Sequence, residues 1–227
     1  MTWVLNNLDL IWELTVVHLR QSVIAIILGF LLSIPLGWAA WRFRIARGGI
    51  LSVTGLLYTI PSLALLMIIP PLIGLPVFNE VNLIIALAVY AIALMTRSVT
   101  DGLDSVDPAV RLSATAMGYS TARRFWAVDF PLAGPVILAG LRVTAVSTIA
   151  LATVGALIGV TNLGYLFTNG LQRRIIAEVV AGIVAVVLIA LVIDALLIAA
   201  GRIAMPWTRA QRRRARGSAA PQEVSVA

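Results

Sequence analysis

A chain of 227 residues is long enough for one or two domains, but its composition excludes a water-facing surface. Hydrophobic residues make up 60% of the chain and charged residues only 12%, so most of it is expected to lie in lipid. All 17 basic residues are arginines concentrated in short connectors and the C-terminal tail. This distribution indicates membrane orientation and not nucleic-acid binding. Without cysteine, disulfides and zinc-thiolate sites are excluded.

Hydrophobic stretches predict an all-α protein with five membrane-spanning helices. A bilayer core about 30 Å thick requires roughly 20 apolar helical residues, and such stretches occur at about 18–41, 49–73, 82–100, 132–158 and 176–202. We therefore expect three parts: an N-terminal extracytoplasmic segment, a transmembrane domain and a disordered cytoplasmic tail. Their predicted ranges are 1–17, 18–204 and 205–227.

The arginines predict the orientation of these spans. Most of them fall in the connectors after the first and third spans, near the inner ends of spans, and in the tail. Only Arg20, Arg173 and Arg174 fall on the opposite side. Because positive charge favours the cytoplasm, we expect the N-terminus outside and the C-terminus inside. The arginine-rich tail is disordered or lies on anionic lipid.

Prolines crowd the first two spans and the loop after them, at Pro35, Pro61, Pro70, Pro71 and Pro76. Each removes a backbone donor and bends or breaks a helix. The segment with Tyr58, Thr59, Pro61 and Ser62 is the clearest case, because its two hydroxyls can bond backbone freed by the break. It either lines a translocation path or packs between helices.

The long polar loop at about 101–131 predicts two short helices joined at a sharp corner. Asp107 and Pro108 are typical of a helix start, and Gly118 can adopt the positive φ that ends a helix. Ser120 or Thr121 can cap the second helix, which Pro131 is expected to stop. Such a compact unit suits docking of a soluble partner; the alternative is an amphipathic helix lying on the membrane.

Two charges fall inside predicted spans, Arg142 and Asp194. They lie roughly 15 and 10 Å from the inner ends of their helices, at a rise of 1.5 Å per residue. We hypothesise an ion pair that fixes helix packing; snorkelling of Arg142 is the alternative. Glu178, near the outer end of the last span, either faces a cationic solute or is an interfacial carboxylate without that role.

The sequence argues against catalysis by this chain. It contains no lysine, so it lacks the phosphate-binding loop that ATP hydrolysis of the P-loop type requires. The single histidine, His18, is expected to be structural, and no group of residues has metal-ligand or nucleophile spacing. We expect no metal and no cofactor in this chain.

The polar loop resembles the coupling loop of ABC importer permeases. That pattern is Glu-Ala-Ala, three residues, Gly, nine residues, then Ile-x-Leu-Pro. Gly118 matches the glycine, Ala114 the second alanine, and Val128, Phe130 and Pro131 the end of the pattern. Leu112 stands where the family has glutamate and Ser113 where it has the first alanine. The resemblance implies an ATPase-coupling loop formed by Asp107, Pro108, Arg111, Leu112, Ser113, Ala114, Gly118, Tyr119, Arg123, Phe130 and Pro131. The charge contact that the family glutamate makes to the ATPase is either missing or made by other residues such as Arg111.

Further stretches, within 58–66, 97–109, 130–142 and 158–171, are similar to the permeases for glycine betaine, carnitine and choline. The resemblance implies a type I importer in the bacterial cytoplasmic membrane, with two permease subunits, two cytoplasmic ATPases and an extracytoplasmic binding protein. Osmoprotectants are the expected cargo, and methionine or another amino acid is the alternative. A passive osmotic channel and an assembly subunit are rivals from other classes. Homodimer and heterodimer both stay open, although Leu112 favours a sister permease that carries the glutamate.

Overall fold

The computed structural model describes residues 2–74, 76 and 78–208. Every regular element within these ranges is helical, as the sequence predicts. From residue 209 onward the predicted tail lies outside the described residues. The helices are α1 (Thr2–Asn6), α2 (Leu8–Arg42), α3 (Arg44–Thr59), α4 (Ser62–Ile73), α5 (Glu80–Asp104), α6 (Pro108–Ala116), α7 (Thr121–Arg124), α8 (Phe130–Ala152), α9 (Gly164–Gln172) and α10 (Ile176–Ala204).

Four continuous helical segments are long and apolar enough to cross a membrane. They are Leu8–Arg42, Glu80–Asp104, Thr121–Ile158 and Ile176–Ala204. The first begins ten residues before the predicted start at residue 18, so most of the predicted N-terminal extracytoplasmic segment at 1–17 is helix α1 and the first turns of α2. The apolar run of α2 therefore extends past the bilayer core as one helix.

The second predicted span, 49–73, is a broken pair of helices instead of one helix. α3 and α4 meet at Ile60 and Pro61 with a bend of 108°, and Ile60 has the extended backbone angles φ −65° and ψ 127°. The residue before a proline is driven out of the helical region by the proline ring. The break that Pro61 predicts is therefore present, and α3–α4 counts as a fifth span only if the pair is taken together.

The prediction that Pro131 stops the second loop helix is wrong. α7 continues through a π-helical turn, Phe125–Asp129, directly into α8. Pro131 lies in the first turn of α8. The wider π turn relieves the clash that a proline ring makes with the carbonyl one turn earlier, so the chain stays helical through the proline.

The core is built around α5, which packs against α2, α3, α4 and α8. The approach of α2 to α5 is close because Gly29 lies on Ala91; a Cβ at position 29 would come within 2.3 Å of the Ala91 Cβ. Small residues allow this kind of contact between helices in lipid. In the most apolar stretch of α10 only 6% of the residues are buried within the chain, whereas 61% are buried in the corresponding stretch of α5. The face of α10 is therefore left to lipid or to another subunit.

Candidate functional site

The loop between α5 and α8 folds into a two-helix corner, here called the elbow (residues 107–130). Asp107 caps α6, because its Oδ1 accepts a hydrogen bond of 2.8 Å from the Ala109 N–H, and Pro108 occupies the first turn. Ser120 caps α7 by accepting a longer hydrogen bond, 3.4 Å, from the Arg123 N–H. Both helix starts lie where the sequence predicts them.

The corner itself turns on Gly118, whose φ is +84°. The Tyr119 N–H donates back to the Ala114 carbonyl at 3.1 Å, which closes the end of α6 in the manner of a glycine C-cap. A Cβ at position 118 would have no atom within 4 Å. Glycine is therefore required for the backbone angle and not for space.

The elbow is fastened to α8 by Asp129, a residue that the sequence analysis did not select. Its side chain is 1% exposed and accepts from two arginines: Arg111 Nε at 3.1 Å and Arg124 Nε at 3.2 Å. Arg124 also donates to the Thr115 hydroxyl at 3.0 Å. One buried carboxylate thus joins α6, α7 and α8. A lone aspartate in the apolar stretch 125–132, close to several arginines, is the signal that marked it.

Arg111 is one candidate for the contact that the family glutamate makes to a partner, but its side chain bonds within the chain. Besides Asp129, its guanidinium donates to the Leu103 carbonyl at the end of α5. It also lies 4.8 Å from the centre of the Trp41 ring on α2, within cation–π range. Because these contacts leave the side chain only 17% exposed, Arg111 fastens the elbow to the membrane helices.

Exposed apolar side chains lie on α6 and just after it. Leu112 and Met117 are 73% and 71% exposed, whereas Ala114 is 1% exposed and faces inward. Ser113 is exposed and donates to the Ala109 carbonyl of its own helix. At the other end of the elbow, Phe130 packs against the rings of Phe125 and Trp126. The face of α6 that carries Leu112 has the exposure that a docking surface requires.

The remaining loop residues lie near the corner. The Arg123 guanidinium is 4.8 Å from the centre of the Tyr119 ring. The structure therefore brings the sequence-predicted set from Asp107 to Phe130 into the elbow and places Pro131 in the first turn of α8. The elbow continues into α8 as helix, and the ion pairs of Asp129 hold α6 and α7 against it.

The predicted path residues lie at the α3–α4 break, away from the elbow in the chain. The Thr59 hydroxyl donates to the Leu56 carbonyl at 2.7 Å, and the Ile60 carbonyl accepts from the Tyr90 hydroxyl of α5. Tyr58, which is 44% exposed, meets the Tyr90 ring edge-on at 5.9 Å. Pro61 is exposed and Ser62 partly exposed. The break thus presents polar and aromatic groups on an accessible surface.

Arg142 and Asp194 form a bidentate pair between α8 and α10. Arg142 Nε donates to Asp194 Oδ1 at 2.6 Å and Nη2 donates to Oδ2 at 2.8 Å. The side chains are 39% and 24% exposed in the chain, so the pair lies at the surface of the helix bundle. Two parallel bonds fix both the distance and the rotation of one helix against the other.

A network of amides holds the turn between α8 and α9. Asn162 donates to the Gln21 side-chain oxygen at 3.1 Å and to the Ala152 carbonyl at 2.8 Å. His18 is fully buried with its Nε2 3.0 Å from the Ile149 carbonyl, which suits the structural role predicted for it. Glu178 is also fully buried, and its Oε1 accepts a hydrogen bond of 2.6 Å from Asn169 Nδ2. Its side chain is therefore not accessible to a solute in this structure. Across residues 2–74, 76 and 78–208, histidines and carboxylates form no cluster of three that could hold a metal.

The fold thus combines four apolar helical segments long enough to cross a membrane, the broken pair α3–α4 and the elbow. Residues 25–210 fit the family described as "binding-protein-dependent transport system inner membrane component". The chain belongs to this family. It is therefore a multi-pass membrane permease of an ABC importer, which is not an enzyme by itself.

Curated relatives agree along most of the chain. It is 33% identical over 201 residues to the choline transport system permease protein of Bacillus subtilis, covering 88% of this chain and 91% of the relative. It is 31% identical over 189 residues to the glycine betaine/carnitine/choline transport system permease protein of the same organism, covering 83% and 86%.

The fold is that of a type I ABC importer permease. The chain superposes on an inward-facing structure of the MetNI methionine ABC transporter with a TM-score of 0.71, covering 87% of this chain and 95% of that one. The sequence identity is 20%, so the likeness concerns the fold. It confirms the fold class that the sequence predicts.

Proposed function

We propose that this permease carries small quaternary ammonium osmoprotectants, such as choline, glycine betaine, carnitine or proline betaine, into the cell. The observation that supports this cargo most is the 33% identity, over nearly the whole chain, to a permease named for choline transport. The likeness to a methionine transporter concerns the fold alone, which makes methionine the weaker candidate. The passive channel and the assembly subunit are not supported by membership of an ATP-driven importer family.

ATP hydrolysis belongs to a partner subunit in this proposal. The chain has no lysine and hence no P-loop. The exposed apolar side chains of Leu112 on α6 and Met117 just after it support docking of the ATPase at this end of the elbow. A leucine in the place of the family glutamate makes this contact hydrophobic instead of ionic, and that contact loses strength when a charge is placed on it.

Movement of the ATPase then reaches the membrane helices through the elbow. Asp129 ties α6 and α7 to α8, and Arg111 ties α6 to the end of α5. A rigid corner with these attachments passes a displacement of α6 to both helices, as alternating access by rigid-body motion requires. The broken pair α3–α4, with Tyr58, Thr59, Pro61 and Ser62, lines the path that opens and closes.

The assembly contains two permease copies or two sister permeases, and a separate binding protein selects the solute. Quaternary ammonium groups are recognised by cages of aromatic rings, and we place that cage in the binding protein. The arginine distribution supports an N-terminus outside and a C-terminus inside the cytoplasmic membrane. No cofactor is required in this chain.

Uptake under salt stress tests both the cargo and the docking face. Cells carrying the intact gene, a deletion, Leu112→Arg or Ile45→Arg are given radiolabelled choline, glycine betaine or carnitine. Ile45 is the matched control because it is a fully exposed apolar residue on the same predicted side, outside the elbow. ATPase activity that co-purifies with each inserted variant is measured in parallel.

We expect deletion and Leu112→Arg each to abolish uptake of at least one solute, and we expect purified Leu112→Arg to have lost its co-purifying ATPase activity. Ile45→Arg retains both. Unchanged uptake of all three solutes after deletion would show that the cargo assignment is wrong. Retention of the ATPase by Leu112→Arg would show that the docking face lies elsewhere.

A further inference from the structure

A cleft between α8 and α10 combines an apolar wall with arginine side chains. Its volume is about 480 Å³. The wall is formed by Leu138 and Ala139 on α8 and by Ile198 on α10. Arg142 lies at one end of the lining, and Arg202 and Thr208 lie at the other. Because Arg142 is paired with Asp194, this end of the cleft lies level with Asp194 on α10. Arg202 follows Asp194 by eight residues, so the cleft extends about 12 Å along α10 at 1.5 Å per residue.

The arginine of the ion pair, and not its aspartate, lines this cleft. The Asp194 carboxylate accepts hydrogen bonds from Nε and Nη2 of Arg142. Within the described residues, the Nη1 amino group of Arg142 has no acceptor. A guanidinium carries five N–H donors, so hydrogen-bonding capacity remains beside an apolar wall. The pair itself is neutral, and Arg202 adds a positive charge at the other end of the cleft.

From this arrangement we infer that the cleft binds one anionic phospholipid of the cytoplasmic leaflet. The phosphate lies at Arg202 and Thr208, where the helix leaves the bilayer. The ester carbonyls, which lie deeper in the bilayer than the phosphate, accept from the free edge of Arg142, and an acyl chain covers Leu138 and Ile198. Basic pockets between spans on the cytoplasmic side are the usual sites for anionic headgroups.

Charge complementarity favours an anionic lipid over a zwitterionic one. Arg202 lines the cleft beside Thr208, and five further arginines follow in the sequence between residues 209 and 216. A basic residue near the membrane surface contributes about 1 kcal/mol to binding of an anionic lipid. This inference concerns the chain's own surface and does not depend on the cargo.

The test counts lipids bound to the purified importer that contains the full chain. After delipidation it is mixed with phosphatidylglycerol or phosphatidylcholine of identical acyl chains, and bound lipid is counted by native mass spectrometry. The variants are Ala139→Phe, which fills the cleft, and Arg202→Gln, which removes one charge. Arg44→Gln is the matched control, because Arg44 is an exposed arginine on the same predicted side and outside the cleft.

We expect one phosphatidylglycerol per permease to bind in preference to phosphatidylcholine. Arg202→Gln weakens this binding about fivefold, the factor that corresponds to about 1 kcal/mol per basic residue. Ala139→Phe abolishes it, and Arg44→Gln leaves it unchanged. Equal binding of the two lipids, or full binding by Ala139→Phe, overturns the inference.

A second permease copy is the competing occupant, and a cross-link distinguishes it. The chain has no cysteine, so Ala139→Cys introduces a single thiol into the cleft. Efficient formation of a disulfide-linked permease dimer through this thiol would show that protein covers the cleft, which overturns the lipid site. We expect no such dimer, and protection of the thiol from a water-soluble maleimide by phosphatidylglycerol. Unchanged uptake of all three solutes after deletion of the gene, with lipid binding as expected here, would contradict the proposed function alone.

Discussion

The elbow and the broken pair α3–α4 both redirect the chain sharply, but they are held by different forces. The elbow is fastened by charge: one buried carboxylate, Asp129, accepts from Arg111 and Arg124. The break at Ile60 and Pro61 is held by neutral hydrogen bonds from α5, where the Tyr90 hydroxyl reaches the Ile60 carbonyl and Asn82 reaches the Leu66 carbonyl at 2.9 Å.

This difference suggests how movement is divided between the two regions. Charge-assisted bonds to a buried group are strong and lose much free energy when one partner is removed, so the elbow moves as one body. A neutral hydrogen bond contributes only about 0.5–1.5 kcal/mol and is exchanged readily for another. We therefore expect the elbow to transmit displacement and the break to absorb it.

Asp129→Asn removes the charged group that fastens the elbow, and we expect the largest effect from this variant. The substitution removes the charge that two arginines share, and loss of one partner from a buried ion pair costs about 3 kcal/mol or more. The elbow then comes loose from α8. The thermal unfolding temperature of the detergent-solubilised protein falls, and solute uptake is lost.

The control for this variant is Asp101→Asn, in an exposed pair with Arg97 at 3.7 Å. Exposed pairs contribute less than about 1 kcal/mol, so uptake and unfolding temperature stay close to those of the intact protein. Equal effects of the two variants would refute a special role for Asp129.

Gly118→Ala tests the backbone of the corner, with the next largest effect. The left-handed conformation at φ +84° costs an L-residue about 1–2 kcal/mol, and no neighbouring atom adds a clash. Uptake is expected to fall severalfold while the protein still inserts. Gly118→Asn has a smaller effect because asparagine tolerates this region better. If alanine and asparagine behave like glycine, the corner does not depend on this angle.

Much of the elbow could be predicted because its determinants are local. Asp107 is followed directly by Pro108, and Gly118 closes its own helix, so neighbouring residues contain the information. Arg142 and Asp194 could be placed at similar depths from helix length alone. These features depend on spacing along the chain and hardly on the rest of the fold.

The determinants that the sequence analysis missed are long-range. Asp129 contacts Arg111 across 18 residues, and Asn162 meets Gln21 across 141 residues; no periodicity reports such contacts. The helix through Pro131 was mispredicted because a π turn, which depends on tertiary packing, relieved the clash that the local rule assumes. The elbow depends on which charged side chains the fold brings together, such as Asp129 with Arg111, and a single sequence does not specify such pairs.

Tyr90→Phe tests the neutral hydrogen bond at the α3–α4 break and has the smallest expected effect on stability. It removes the bond to the Ile60 carbonyl, about 1 kcal/mol, while the ring contact with Tyr58 at 5.9 Å stays. If the break is a hinge in the path, the uptake rate changes although the unfolding temperature moves little. Tyr165→Phe is the control, because this tyrosine on α9 is 40% exposed and far along the chain from the break.

A double-mutant cycle with Pro61→Ala decides whether the hydroxyl acts through the bend. Alanine permits a straighter helix. In a straightened α3–α4 the Ile60 carbonyl accepts a hydrogen bond within the helix, so the Tyr90 hydroxyl loses its acceptor there. We expect the effect of Tyr90→Phe on uptake to vanish in the Pro61→Ala background, a coupling that residues in contact show and distant residues do not. Additive effects of the two substitutions would mean that Tyr90 and the break act separately. Uptake unaffected by Pro61→Ala would place the path elsewhere in the molecule.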